Sequence, residues 1–192
     1  MKEMRYTSKI FGPYRHKRKV TIFGSARTLP DEPIYQKCVD FSRMLAEKGY
    51  MAITGGGGGI MQAGNEGAGA DNSFAVNIRL PFEQETNPVM SESDKVLMYQ
   101  YFFNRKVAFL KEADAVALFP GGFGTLDEFF EAITLIQTDK IKPFPVVMFG
   151  SRFWAGLQDW IKGTLLEDGR ISPEDLSNFK VVDEVDEVVS VI

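Results

Sequence analysis

The sequence predicts a three-layer α/β/α protein, doubly wound around a mainly parallel sheet. Apolar runs of strand length alternate with helical patterns almost from end to end. That alternation implies parallel strands, right-handed crossovers and helices on both faces of one sheet. Three of the runs end in loops rich in small residues, at 24–27, 54–59 and 120–125. Ligands of such sheets bind beyond the carboxyl ends of the strands, near the switch in strand order. At 192 residues, 44% hydrophobic and 25% charged, the chain can bury a core within one domain.

The elements follow in order. Residues 1–18 are expected to be a basic extension, with Lys2, Arg5, Lys9, Arg15, Lys17 and Arg18 against Glu3 alone. Such an arm suits an anionic partner, or it is a leader that packs through Ile10, Phe11 and Tyr14. A single domain is expected over 19–192. Residues 19–24 (KVTIFG) read as a strand. Over 31–48, Ile34, Cys38, Phe41, Met44 and Leu45 fall on one helical face, which Gly49 ends. A strand at 50–54, a helix at 60–70 and a strand at 74–78 closed by Pro81 come next. The polar stretch 82–97 is expected to be an ordered loop or lid. An apolar helix is expected over 97–112, a strand over 115–119 and a helix over 125–139. A strand at 144–149 and helices at 153–166 and 183–191 complete the chain.

Several chemistries are excluded. The only histidine, His16, sits in the basic leader, which argues against a histidine-assisted nucleophile. One cysteine, Cys38, precludes an intrachain disulfide and any multi-cysteine metal site, so no metal is expected and the cytoplasm is the natural compartment. No apolar stretch approaches a membrane span, and the acidic body argues against nucleic acid as the main ligand. The glycine run 55–59 lacks the acidic residue that a dinucleotide fingerprint places about twenty residues on. It also lacks a Gly-Lys-Ser/Thr. It serves either a ligand or a tight crossing against a neighbouring loop.

The segment 120–128, Pro-Gly-Gly-Phe-Gly-Thr-Leu-Asp-Glu, carries the most chemistry. Glycines after a buried strand let the backbone approach a ligand, and the helix that follows offers unpaired N–H groups and a positive dipole end. That combination suits a phosphate. Glu128 is placed to meet the sugar of a bound nucleotide, although Asp127 and Glu128 also suit a helix start on dipole grounds alone. Arg105 and Lys106 interrupt an otherwise apolar helix. Arg105 there either reaches a nucleotide or pairs with Glu128.

Arg105-Lys106 followed by this Pro120-to-Glu128 motif resembles the LOG ("lonely guy") family of cytokinin-activating phosphoribohydrolases, many of which have carried a lysine decarboxylase label. The similarity runs from Phe23-Gly-Ser-Ala-Arg27 through Gly55-Gly-Gly-Gly-Gly-Ile-Met61 to the tail. Leu80-Pro-Phe-Glu-Gln84, Tyr101-Phe-Phe-Asn-Arg-Lys106 and Leu135-Ile-Gln137 look most like its longer bacterial branch. The resemblance implies a Rossmann-like fold, a homodimer or larger homo-oligomer, and hydrolysis of an AMP-like nucleoside 5′-monophosphate to free base and ribose 5-phosphate. It implies Arg105 and Glu128 as the catalytic pair. The expected substrate- and phosphate-binding set is Gly24, Ser25, Thr54, Gly56, Gly57, Gly58, Lys106, Gly121, Gly122, Gly124 and Thr125. No cofactor is called for, and lysine decarboxylation, which needs pyridoxal phosphate on a free lysine, is not expected. The molybdenum-cofactor carriers look similar in fold, so a non-catalytic carrier is the alternative.

Overall fold

In the computed structural model, which describes residues 2–80 and 85–188, the strands are β1 (Lys19–Phe23), β2 (Met51–Thr54), β3 (Ser73–Ile78), β4 (Val96–Tyr99), β5 (Ala115–Leu118), β6 (Val146–Phe149) and β7 (Lys180–Val182). They form one sheet in the order β4-β3-β2-β1-β5-β6-β7, parallel at every pairing. All five residues of β1 are buried, as a central strand covered on both faces requires. Its alternating side chains divide the core. Val20 and Ile22 pack with Tyr35, Cys38, Phe41 and Leu45 of α2 (Pro33–Glu47) and with Ile60 and Ala63 of α3 (Ile60–Ala68). On the other side, Phe23 joins a cluster fed by α1 (Lys2–Phe11), α4 (Phe102–Lys111), α5 (Phe123–Gln137) and α6 (Ser151–Trp160). Thr21 faces that side too, and its hydroxyl donates to the Phe109 carbonyl of α4 at 2.9 Å.

Strand order reverses between β1 and β5. The register Val20–Ala115 through Phe23–Leu118 brings their carboxyl ends level. The Phe119 N–H donates to the Phe23 carbonyl at 2.8 Å, and the Ser25 N–H donates to the Pro120 carbonyl at 3.0 Å. Two of the three small-residue loops are thereby stitched together at the point where an open sheet offers its crevice.

The structure differs from the sequence reading in a few places. Residues 96–99 form strand β4, not the start of a helix; Leu97 and Tyr99 are buried and Met98 is exposed. That alternation is the period of a strand, and the helix begins only at Phe102. β7 escaped notice because three residues carry too short a pattern. The helix expected at 153–166 runs from Ser151 as α6 and continues as a π-helical segment, Ile161–Leu166. The last helix, α7, spans Val185–Val188 and packs beside α2. The remainder of the expected 183–191 helix, together with Pro81 and residues 82–84 of the expected lid, lies outside the described residues.

The basic leader contains a helix. Phe11 of α1 is 1% exposed and stacks on Phe74 of β3 with ring centroids 4.2 Å apart, while Tyr14 meets the same ring edge-on. The Thr7 hydroxyl hydrogen-bonds that of Tyr99. The Glu3 carboxylate accepts from the Gln100 N–H at 2.7 Å and from Asn104 Nδ2 at 2.6 Å, tying α1 to the first turn of α4. A buried phenylalanine cut to alanine costs about 3–5 kcal/mol. Urea unfolding of Phe11→Ala is therefore expected to show a loss of about 3 kcal/mol or more. A loss under about 1 kcal/mol would mean that α1 does not dock in solution.

Candidate functional site

The three loops meet by close approach. Ile60 N–H donates to the Ser25 carbonyl at 2.9 Å, and a Cβ on Gly59, where φ is +61°, would lie 2.2 Å from that same oxygen. A Cβ on Gly24 would lie 2.6 Å from the Ile60 side chain. The glycine run is held from behind by Asn87, whose N–H donates to the Gly56 carbonyl at 2.8 Å and whose Nδ2 donates to the Gly57 carbonyl at 3.1 Å. Thr54 is buried, donates to Asn65 Oδ1 at 2.7 Å and accepts from the Gly56 N–H at 3.0 Å. Most of this run is therefore a backbone crossing, and only Gly55 reaches the cavity described below.

The loop after β5 is different. Gly122 precedes α5 without any side-chain cap. Cβ atoms added at Gly122 or Gly124 would meet nothing within 4 Å among the described residues, and neither residue has a positive φ. Neither packing nor backbone conformation asks for glycine at these two positions. Gly124 even weakens its helix, by about 0.5–1 kcal/mol relative to alanine. What the two glycines provide is bare backbone facing open space, with the first N–H groups of α5 beside it. Gly121, by contrast, is packed, since a Cβ there would lie 2.1 Å from Thr125 Oγ1.

These loops enclose a cavity of about 610 Å3. Gly24–Arg27 and Gly122–Thr125 form one wall, and Met61, Ile78, Leu80, Phe102 and Phe109 supply an apolar one. Arg105 and Glu128 both line it. Of the sequence-predicted residues, the cavity thus gathers Gly24, Ser25, Gly122, Gly124, Thr125, Arg105 and Glu128. Thr54, Gly56, Gly57, Gly58, Lys106 and Gly121 lie outside its lining. Lys106 is engaged at the cavity's edge, with its ammonium 2.8 Å from Oδ2 of the lining residue Asp127 and also hydrogen-bonded to Glu131. Burial acts against the Lys106 charge, but hydrogen bonds to these two carboxylates leave its pKa raised.

Arg105 reaches the site because α4 returns antiparallel to the strands. Its Nε donates to the Val76 carbonyl of β3 at 2.9 Å, and its guanidinium sits 5.0 Å from the Phe109 ring centroid. Its Nη2 would be only 2.6 Å from a Cβ on Gly55, so that glycine makes room for the arginine. Burial pushes its pKa down to about 10, partly countered by Glu128, which leaves it cationic at neutral pH. Glu128 is 7% exposed, and its Oε2 is buried without a hydrogen-bond partner. Burial pushes the carboxyl up to about 7 against the pull of Lys106 and Arg105, with Glu131 and Asp127 adding to the rise. No ion pair joins Arg105 to Glu128 among the described residues.

Sequence reasoning missed Arg27, Met61 and Phe123 as lining residues. Phe123 sits inside the glycine motif and is 92% exposed at the cavity mouth, but exposure of an aromatic is not legible from its neighbours in sequence. Arg27 directly follows Gly-Ser-Ala and had that position as its signal.

An all-parallel α/β sheet with a glycine-rich helix start and a buried carboxyl lining a cavity at its switch point defines a class of molecule that takes its ligand in that crevice. The chain matches the family described as "possible lysine decarboxylase" over residues 59–192, and it belongs to that family, the LOG family. It is 31% identical to a cytokinin riboside 5′-monophosphate phosphoribohydrolase of Mycobacterium tuberculosis over 73% of this chain and 75% of that protein. In fold it is similar to the molybdenum cofactor binding protein of Rippkaea orientalis, with a TM-score of 0.63 and 16% identity. The molybdenum cofactor carrier protein of Chlamydomonas reinhardtii gives 0.63 and 17%. Each comparison covers 91% of this chain and 94% of the other. At those identities the likeness shows the fold alone.

The Glu128 environment has a consequence for stability. The folded value, about 7, lies above the ordinary 4.5, so the native state binds the extra proton between them and stability falls as pH rises through that window. Glu128→Gln removes this component. In urea unfolding, the variant's stability relative to the parent is expected to improve by about 3 kcal/mol between pH 4.5 and about pH 8. A difference that stays flat across that range would show a carboxyl with an ordinary pKa.

Proposed function

We propose that the protein is a nucleoside 5′-monophosphate N-glycosidase, releasing adenine or an N6-modified adenine and ribose 5-phosphate. The observation that carries this reading is Glu128, a buried carboxyl with an unpartnered oxygen, lining a cavity one turn beyond a bare helix start. The N–H groups of Phe123, Gly124 and Thr125, with Ser25 close by, hold the 5′-phosphate. Binding energy from that remote group fixes the sugar at Glu128. As a carboxylate, Glu128 stabilises the positive charge that develops on the ribose and guides a water oxygen to C1′. The C1′–N bond breaks with its electron pair leaving on the base, which takes up a proton from the attacking water. Arg105 steadies the negative charge building on the leaving base. The apolar wall of Met61, Ile78, Leu80 and Phe102 receives the base.

The residues do not fit a pyridoxal-phosphate lysine decarboxylase. Among the described residues no lysine lines the cavity, and Lys106 is held by Asp127 and Glu131. Among the described residues no cluster of His, Cys, Asp and Glu could hold a metal ion, and no helix is long and apolar enough to cross a membrane. The proposal includes a cytoplasmic homo-oligomer. Phe102 and Phe123 are exposed where they line the cavity, and Phe103 of α4 and Phe130 of α5 are exposed on the same two helices, apolar surface suited to a second copy of the chain.

Incubation with AMP, isopentenyladenosine monophosphate, GMP and CMP, followed by chromatography, tests the reading. Free base is expected from the adenine nucleotides, with turnover rising as pH passes through about 7 and Glu128 ionises. Glu128→Gln is expected to lose turnover while calorimetry still shows nucleotide binding. Turnover retained in that variant would overturn the assignment, and release from no nucleotide despite tight binding would favour a carrier. The bare backbone at Gly124 is a separate test. Gly124→Ala is expected to unfold at a slightly higher temperature, yet to raise KM for the nucleotide tenfold or more as its methyl enters the phosphate site, about 1.4 kcal/mol of lost binding. An unchanged KM would move the phosphate elsewhere.

A further inference from the structure

A second cavity lies at the opposite, amino-terminal edge of the sheet. His16, Lys17 and Arg18, which lead into β1, meet Lys48, Gly49 and Tyr50 in the turn between α2 and β2, around a space of about 390 Å3. The Met51 N–H donates to the Arg18 carbonyl at 2.9 Å, and Lys19 is in register with Met51, so the two segments are fixed relative to each other. Arg18 Nη1 donates to the Tyr50 hydroxyl at 3.0 Å, and its guanidinium lies 5.9 Å from the centre of that ring. Gly49, with φ of +81°, has nothing within 4 Å of where a Cβ would sit, so the cleft stays open above the turn.

Among the described residues no carboxylate lines this space. Lys17, Lys48 and His16 form no ion pair among the described residues. Glu47 precedes Lys48 at the end of α2, and Asp114, whose Oδ2 accepts the Lys19 N–H at 2.8 Å, acts on Arg18 and, with Glu112, on the buried Lys19 ammonium. That ammonium is itself bonded to the Lys17 carbonyl at 2.8 Å. Lys48 follows the carbonyl end of α2, which eases its own charge but not the others. Cations gathered in one concavity repel each other until a multivalent anion joins them. The net charge of the chain is −4, and Lys17, Arg18 and Lys48 meet in one hollow between two turns. This favours a small anion over a nucleic acid strand.

We propose that this cavity is a second anion site that binds a small polyphosphate-bearing molecule, with Lys17, Arg18 and Lys48 as charge partners and Tyr50 as a wall. This cleft lies apart from the cavity that holds Glu128 and works independently of it. The protein has one histidine, so the ring signals of His16 in an NMR titration report on this site alone. Inorganic tripolyphosphate is expected to shift them saturably in the parent and equally in Arg105→Gln, which alters the other cavity. Lys17→Gln combined with Lys48→Gln replaces two exposed residues, so the fold is kept. That pair is expected to weaken binding about tenfold or more, the loss of a charge-assisted hydrogen bond. ATP binding more tightly than tripolyphosphate would identify a nucleoside polyphosphate as the occupant, and equal or weaker binding a bare phosphate chain; both support the site. Absence of a saturable shift, a shift lost in Arg105→Gln, or tighter binding of a single-stranded oligonucleotide than of tripolyphosphate would overturn it.

Discussion

Everything at the candidate site depends on how closely three backbones approach at the carboxyl ends of β1, β2 and β5. Parallel strands at adjacent register leave their loops side by side, and side chains would normally hold those loops apart. Here Gly24, Gly59 and Gly121 let them interlock, with Ser25 bonded to both Pro120 and Ile60. Adding a single methyl group at Gly59 would drive it into the Ser25 carbonyl. The same closeness leaves a hollow beyond the interlock, roofed by the start of α5. The cavity is thus a by-product of tight packing on one side and of absent side chains on the other.

Into that hollow the chain inserts a carboxyl and a guanidinium that do not neutralise each other directly. Burying an unpaired charge is costly, and a carboxyl answers by holding its proton more firmly. Glu128 does so, and the cations on its flank only partly reverse the effect. A structural role alone would be better served by a direct ion pair or by an apolar residue. Lys106 shows the contrast within the same turn of α4, because it is fully engaged by Asp127 and Glu131 and lies outside the cavity. One neighbour stabilises the scaffold while the other remains available.

The parts of this arrangement visible in the sequence are those written in short, local patterns. The buried strand at 115–119 and its glycine turn declare themselves by an abrupt change of residue type. Arg105 stands out as a cation within an apolar helix. The residues 97–101 mislead because aromatic and aliphatic side chains suit a strand and a helix alike, and only the core beneath Leu97 and Tyr99 decides between them. Asn87 could not be found from sequence: it clamps the glycine run from thirty residues away, and nothing around it signals the contact. The two uses of glycine were also indistinguishable. Whether such a residue makes room for a neighbour or leaves space for a ligand depends on what stands opposite, which is a property of the folded chain.

The contact of Glu3 with Gln100 and Asn104 joins the N-terminal helix to the helix that carries Arg105. One end of the chain therefore acts as a brace for the wall of the cavity, although it lies outside the sheet. Trimming the first few residues, or fusing a bulky partner to them, would leave the strands and the glycine interlock intact. It would nevertheless free the first turn of α4 and blur the aim of the arginine. An end that looks dispensable by its distance from the crevice is in mechanical terms part of the apparatus that holds the crevice in shape.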